Sequence, residues 1–223
     1  MLDLLKKTVL LIFYFMVYQV AISLLMSPYF ISQRKGIATS HIIGASWFSS
    51  LIGFGLLLGL SLYLWKLVND QPSLQMDLGH VWYNKPYWPF LAYILFFLLQ
   101  LVFPIGNSDN QSIILEMIDL FPVQAFLLVV VFAGLIEELL FRGIIATYFF
   151  SEQNRSLSIG FYGFMTGSLF SLIHSPENIT VFLYYFTHGL ILAWLYVIKK
   201  DIRYPIALHI FNNALVYFSV VFS

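Results

Sequence analysis

Seven stretches of this chain are apolar over lengths that cross, or nearly cross, a lipid bilayer: residues 8–26, 41–65, 87–105, 122–148, 157–174, 179–198 and 204–222. A spanning helix takes ~20 mostly apolar residues. In hydrocarbon every backbone N–H and C=O must be satisfied within the protein, so such segments cross as helices. The sequence therefore predicts an all-α protein, a polytopic transmembrane bundle of about seven (six to eight) helices around a polar intramembrane cavity. Charged residues make up only 10% of the 223, and the mean hydropathy is +0.85. Soluble domains carry roughly a quarter charged residues, so the bilayer must be the main solvent.

The connectors leave no room for a soluble domain, and one integral membrane domain is expected over 1–223. Three N-terminal helices (1–105) precede a motif-bearing core (120–220). Lys6 and Lys7 stand before the first apolar run. That run exceeds the 7–15 residues of a signal-peptide core, and it reads as a retained helix. Polar connectors occupy 66–86, with Lys66, Asp70, Pro72, Asp77 and Lys85, and 106–121, with Asp109, Glu116 and Asp119. Glycine pairs at four-residue spacing, Gly55/Gly59 and Gly163/Gly167, suit close helix packing.

Charge excludes some functions and sets an orientation. The net charge is zero, which gives no reason to expect a nucleic-acid partner. The absence of cysteine excludes disulfides, thiolate metal sites and a cysteine nucleophile. With seven spans, Lys6, Lys7, Lys66, Lys85, Arg155, Lys199, Lys200 and Arg203 share one side, against Arg34 and Lys35 on the other. The positive-inside rule then places the N-terminus in the cytoplasm of a multi-pass plasma-membrane protein.

Polar groups in the second half break the apolar pattern. An ionised side chain at the bilayer centre costs ~2.5–3.5 kcal/mol even on mild scales, so such groups are functional candidates. Residues 125–136 carry no charge, and then Glu137, Glu138 and Arg142 follow within six residues. Glu138 and Arg142 are i, i+4 on one helix face and suit an ion pair. Glu137 is rotated ~100° away. A desolvated carboxylate without a local cation is a proton acceptor of the kind a general base requires. His174 ends the fifth span, four residues after Phe170. His209 and Asn213 lie on one face of the last span and can aim two hydrogen-bond donors at one point, as an oxyanion site needs. His188, beside Gly189, reads as a packing or supporting residue. Asn178-Ile-Thr180 matches a glycosylation sequon, but in a loop too near the membrane. Ser168 and Ser171 lie near His174 without a Gly-x-Ser-x-Gly elbow. There is no His-Glu-x-x-His helix and no P-loop.

In order, Glu137-Glu138-x-x-x-Arg142, Phe170-x-x-x-His174 and His209-x-x-x-Asn213 resemble the motifs of the CAAX-protease and bacteriocin-processing family of intramembrane proteases. The resemblance covers about residues 120–220 and implies a bundle of about eight helices around a cavity. It implies an intramembrane endopeptidase, of glutamate or metallo type, acting on a membrane-associated or lipidated protein or peptide. Glu137 would activate water, His174 would share in binding it, and His209 and Asn213 would steady the oxyanion. Glu138 and Arg142 would support them. Should a divalent metal such as zinc bind, Glu137, His174 and His209 would be its ligands; a metal-free reaction is the preferred expectation.

Two other readings belong to different classes. Family relatives include bacteriocin self-immunity proteins, and a non-catalytic membrane scaffold would keep the same motifs. A proton-coupled transporter also uses buried carboxylates and histidines, but no repeat relates the two halves. Upright helices would also put Glu137, His174 and His209 at different depths, so the enzymatic reading requires tilted helices or a short fifth span around a water-filled cavity.

Overall fold

The computed structural model describes residues 2–34, 40–70, 82–102, 109–150 and 156–222. Lys35, Pro72, Asp77 and Arg155 lie outside the described residues. Among the described residues there are nine helices and no strand: α1 (Leu2–Leu25), α2 (Ser27–Ser32), α3 (Ser40–Asn69), α4 (Tyr87–Val102), α5 (Asp109–Leu120), α6 (Pro122–Phe149), α7 (Ser156–Ile173), α8 (Ile179–Lys199) and α9 (Arg203–Val221). Five of them, α1, α3, α6, α8 and α9, are long and apolar enough to cross a membrane. The apolar cores of α4 and α7 are shorter, Tyr87–Gln100 and Ser158–Ile173. These seven correspond to the seven predicted stretches. The polar connector before the fourth long stretch folds as α5, consistent with its amphipathic pattern, and α2 is a further short helix that hydropathy did not reveal.

Local signals start and stop the helices. Pro122 opens α6, where a missing N–H costs nothing. Asn178, the sequon asparagine, caps α8 by accepting from the Val181 amide at 3.0 Å. Lys200 closes the same helix in a left-handed conformation, φ 53°.

Antiparallel pairs build the bundle. In α1 and α3, Tyr14 meets Tyr63, and Ser50 donates to the Leu25 carbonyl. Gly53 lies on the backbone of Ala21–Leu25, where a Cβ would overlap main-chain atoms. In α6 and α9, Tyr217 donates to the Pro122 carbonyl, Asn213 to that of Val129, and Gly134 abuts Ile210. In α7 and α8, Gly167 rests against Phe186 and Gly189. Small residues permit this approach where lipid supplies no hydrophobic drive between helices. The Gly163/Gly167 pair thus packs, whereas a Cβ on Gly55 or Gly59 would meet nothing within 4 Å.

Helix α6 is not uniformly wound. It widens to π-type turns at Phe126–Ala133 and Leu139–Ile144, on either side of the α-helical Gly134–Glu138. Such widened turns shift the angular phase of the residues that follow and recur at functional sites. Here they bracket the two glutamates.

Candidate active site

Helix α6 is the most enclosed of the five long helices, and its charged residues are among the most buried in the chain. Glu138 and Arg142 have 0% exposure. Arg142 Nη1 donates to Glu138 Oε1 at 2.8 Å, so the i, i+4 pair forms as its spacing requires. Arg142 Nη2 also donates to the Gly189 carbonyl at 3.2 Å, and the guanidinium lies 4.5 Å over the Phe170 ring. The backbone carbonyl of Arg142 accepts from Tyr162. Arg142 thereby ties α6 to α7 and α8.

The same Glu138 oxygen is 2.8 Å from His209 Nδ1 on α9. A carboxylate oxygen accepts, so Nδ1 carries hydrogen and Nε2 is the ring atom left for a ligand. His174 is fixed in a similar way. Its Nδ1 donates to the Phe170 carbonyl at 2.7 Å, and its ring stacks on Tyr185 at 4.1 Å. In the neutral imidazole this leaves a lone pair on Nε2.

Glu137 is held differently. Tyr18 of α1 donates to its Oε1 at 3.1 Å, while Oε2 is buried with no hydrogen-bond partner among the described residues. Among the described residues the carboxylate has no cation partner of its own, as the ~100° rotation from Glu138 implied. A cavity of about 340 Å³ collects these groups, with Tyr18, Glu137, His174, His188, His209, Asn212 and Asn213 all on its wall. The predicted mismatch in depth is therefore absent: α7 is short and ends at the cavity, and residues from the middle of α6 and α9 reach the same space.

Phe170 is the hub. Its ring centroid lies 4.7 Å from that of His174, 5.6 Å from His209 and 5.8 Å from His188. The first residue of the Phe-x-x-x-His motif is thus the apolar surface on which three imidazoles and one guanidinium are arranged.

Asn213 lines the cavity, but its Nδ2 donates to the Val129 carbonyl at 2.8 Å, which leaves one of its two N–H bonds uncommitted. Its Oδ1 accepts from Asn212, whose own Oδ1 accepts from Tyr93 of α4 at 2.8 Å. Glu137, His174 and His209 are the donor types of a two-histidine, one-carboxylate zinc site. Among the described residues, however, no three His, Asp or Glu side chains gather closely enough to hold a metal ion.

Three wall residues carried little or no signal in the sequence. Tyr18 is one of 14 tyrosines and lies in a uniformly apolar span. Asn212 sits beside the motif asparagine. His188 read as a supporting residue, yet it is 3% exposed, lines the cavity and has an Nε2 with no hydrogen-bond partner among the described residues. The first half of the chain, which showed only hydrophobicity, contributes Tyr18 and Tyr93 to the site.

These features define a polytopic helical membrane protein with an acid–histidine site enclosed between its helices. Residues 119–215 match the family model described as type II CAAX prenyl endopeptidase Rce1-like, and all three motifs fall inside that range. The motif-bearing segment is thus similar to that peptidase family. No curated protein and no solved structure matches the chain.

Proposed function

We propose that this protein is an intramembrane endopeptidase of the CAAX prenyl protease type, hydrolysing a peptide bond of a membrane-associated protein or peptide with water activated by Glu137. The observation that carries the reading is the unpartnered Glu137 Oε2 on a cavity shared with His174, His209 and Asn213.

The hydrogen-bond pattern supports the following roles. A water placed between Glu137 Oε2 and His174 Nε2 donates one hydrogen to each acceptor, and its oxygen lone pair is left for attack. As that oxygen bonds to the scissile carbonyl carbon, its proton passes to Glu137 and the C=O π pair moves onto the carbonyl oxygen. His209, which already gives one hydrogen to Glu138, offers a second from Nε2 to that oxyanion, helped by the uncommitted N–H of Asn213. With two hydrogens His209 is a cation, and the charges of Glu137, Glu138, Arg142 and His209 then sum to zero. That balance suits a site with little water. Collapse of the intermediate breaks the C–N bond, and the proton on Glu137 goes to the leaving amine. No step requires a metal.

The test compares protein termini in membranes from cells making wild type, Glu137→Gln or His174→Ala at matched levels. Termini present with wild type and lost with both variants support proteolysis and name the substrate. Unchanged termini, with both variants still rescuing a deletion phenotype, would turn attention to a non-catalytic scaffold or self-immunity role.

A further inference from the structure

We infer that the cavity is loaded from the membrane face opposite the N-terminus, the outer face by charge, and that the substrate is a polypeptide segment presented there. The access half stands on geometry and on the placement of charge; the word substrate rests on the proteolytic reading above.

The antiparallel pairs fix which ends of the helices lie together. Leu25 meets Ser50, Tyr29 meets Glu116, Val129 meets Asn213 and Ser171 meets Phe182. The end of α1, all of α5, the start of α6, the end of α7, the start of α8 and the second half of α9 therefore share one end of the bundle. Every helix that walls the cavity does so from that end: Ile22 and Met26, Ile113 and Met117, Leu128 and Ala133, Ile173 and His174, Tyr184 and Tyr185, Asn213 and Val216. Toward the other end the path is closed. Leu139, Leu140, Arg142, Ile144, Ile145 and Tyr162 are fully buried beneath Glu137.

Charge then assigns the ends. Among the described residues, Lys6, Lys7, Lys66, Lys85, Lys199, Lys200 and Arg203 cluster at the closed end, and Arg34 alone stands at the cavity end. The closed end is the cytoplasmic one by the positive-inside rule. The mouth has matching chemistry: Met26, Phe30, Ile113 and Met117 make it apolar, and Glu116 straps α5 to α2 by accepting from Tyr29 at 2.8 Å and from Gln33 at 2.6 Å. A peptide crossing the membrane outward, or the outer segment of a membrane protein, can enter here. A lipidated C-terminus on the cytosolic leaflet is on the wrong side of the buried core.

The chain has no cysteine, so single cysteines can be placed without altering a native one. Arg34→Cys and Thr180→Cys mark the cavity end, Asp3→Cys and Asp70→Cys the closed end, and all four positions are exposed. Gln19→Cys reports the cavity wall. Spheroplasts making each variant are treated with a membrane-impermeant maleimide, and for Gln19→Cys with a small cationic thiosulfonate. Reaction of Arg34→Cys, Thr180→Cys and Gln19→Cys before lysis, and of Asp3→Cys and Asp70→Cys only after it, is the expected result. The reverse pattern overturns the access assignment. Because labelling needs no turnover, the same pattern is expected in a Glu137→Gln background. Glu137-dependent termini should map to segments outside the cytosol; cytosolic C-termini among them would overturn the substrate class. Complete absence of Glu137-dependent termini would instead remove the proteolytic reading and leave access to be decided by labelling.

Discussion

His209 Nδ1 lies 2.8 Å from Glu138 Oε1, the same oxygen that accepts from Arg142, so a residue 71 positions downstream completes an ion pair formed within one turn of α6. This joins the first motif to the third, and Arg142 over Phe170 joins it to the second. The pair is fully enclosed, and stripping one partner from such a pair typically costs about 3–5 kcal/mol because the other charge is stranded. Arg142→Met and Glu138→Ala are therefore expected to lower thermal stability in detergent by an amount of that order. Glu138→Gln keeps an acceptor for both neighbours but still strands the Arg142 charge, so it should also lower stability, by less than Glu138→Ala, and lose activity because His209 is no longer held beside a full negative charge. Equal melting of Arg142→Met and wild type would show that the pair does not organise the bundle.

Glu137 calls for the opposite signature. Its Oε2 has no partner, and Tyr18 reaches only Oε1. Glu137→Gln keeps an acceptor oxygen for Tyr18 and removes an ionisable group that is 7% exposed. Stability should hold or rise, while cleavage falls by the ~10²–10⁴-fold that a general base contributes. A Glu137→Gln protein that melts early would point to a structural carboxylate.

The fold was readable because lipid leaves so few solutions: seven apolar stretches became seven apolar helices. The Glu138–Arg142 pair was readable because i, i+4 geometry is local. The joining of Glu138 to His209 was not, since nothing in either helix states which face meets the other across 71 residues. Tyr18 was invisible for a related reason: a tyrosine in an apolar span has no distinguishing neighbour in the sequence. Hydropathy also missed α2, which is too short for a period to show. The depth mismatch arose from treating the helices as upright, regular rods. The widened turns of α6 beside Glu137 and Glu138, and the early end of α7, remove it.

Tyr18 fixes one oxygen of Glu137 and so fixes where the other lies. Tyr18→Phe deletes a single buried hydroxyl on a wall otherwise unchanged. Loss of a charge-assisted bond of this kind costs about 1.5–3 kcal/mol. The expected result is a modest loss of stability and a fall in kcat of roughly 10-fold with KM little changed, read with a peptide spanning the cleavage site found by terminal analysis. An unchanged kcat would mean that Glu137 is positioned by its own helix alone.

Chelation separates the two chemistries the donor set permits. With Nδ1 of His209 held by Glu138 and Nδ1 of His174 by the Phe170 carbonyl, both Nε2 atoms are the ones left for a metal or a water, and the water-only reaction proposed above predicts no response to metal removal. Purified protein treated with 1,10-phenanthroline and then desalted should keep its rate within about twofold, since general-base catalysis needs no Lewis acid. Inactivation reversed by added zinc would assign the two histidines and Glu137 to a metal.

His188 is a buried imidazole whose Nε2 has no partner, set 5.5 Å ring to ring from His209 on the cavity wall. A residue retained only for packing would satisfy its polar atoms, because an unpaired buried group costs about 1–3 kcal/mol. Asn213 has already committed one N–H to Val129, so the site has room for another donor to the developing oxyanion. On that basis His188→Leu is expected to melt no lower than wild type while kcat falls by about 10²-fold, the size of effect seen when one oxyanion donor is removed. His188→Gln restores an N–H donor and should recover most of the rate. A leucine variant that loses stability and activity together, with no rescue by glutamine, would make His188 a packing residue, as its neighbours Phe96, Phe170 and Tyr93 alone would suggest.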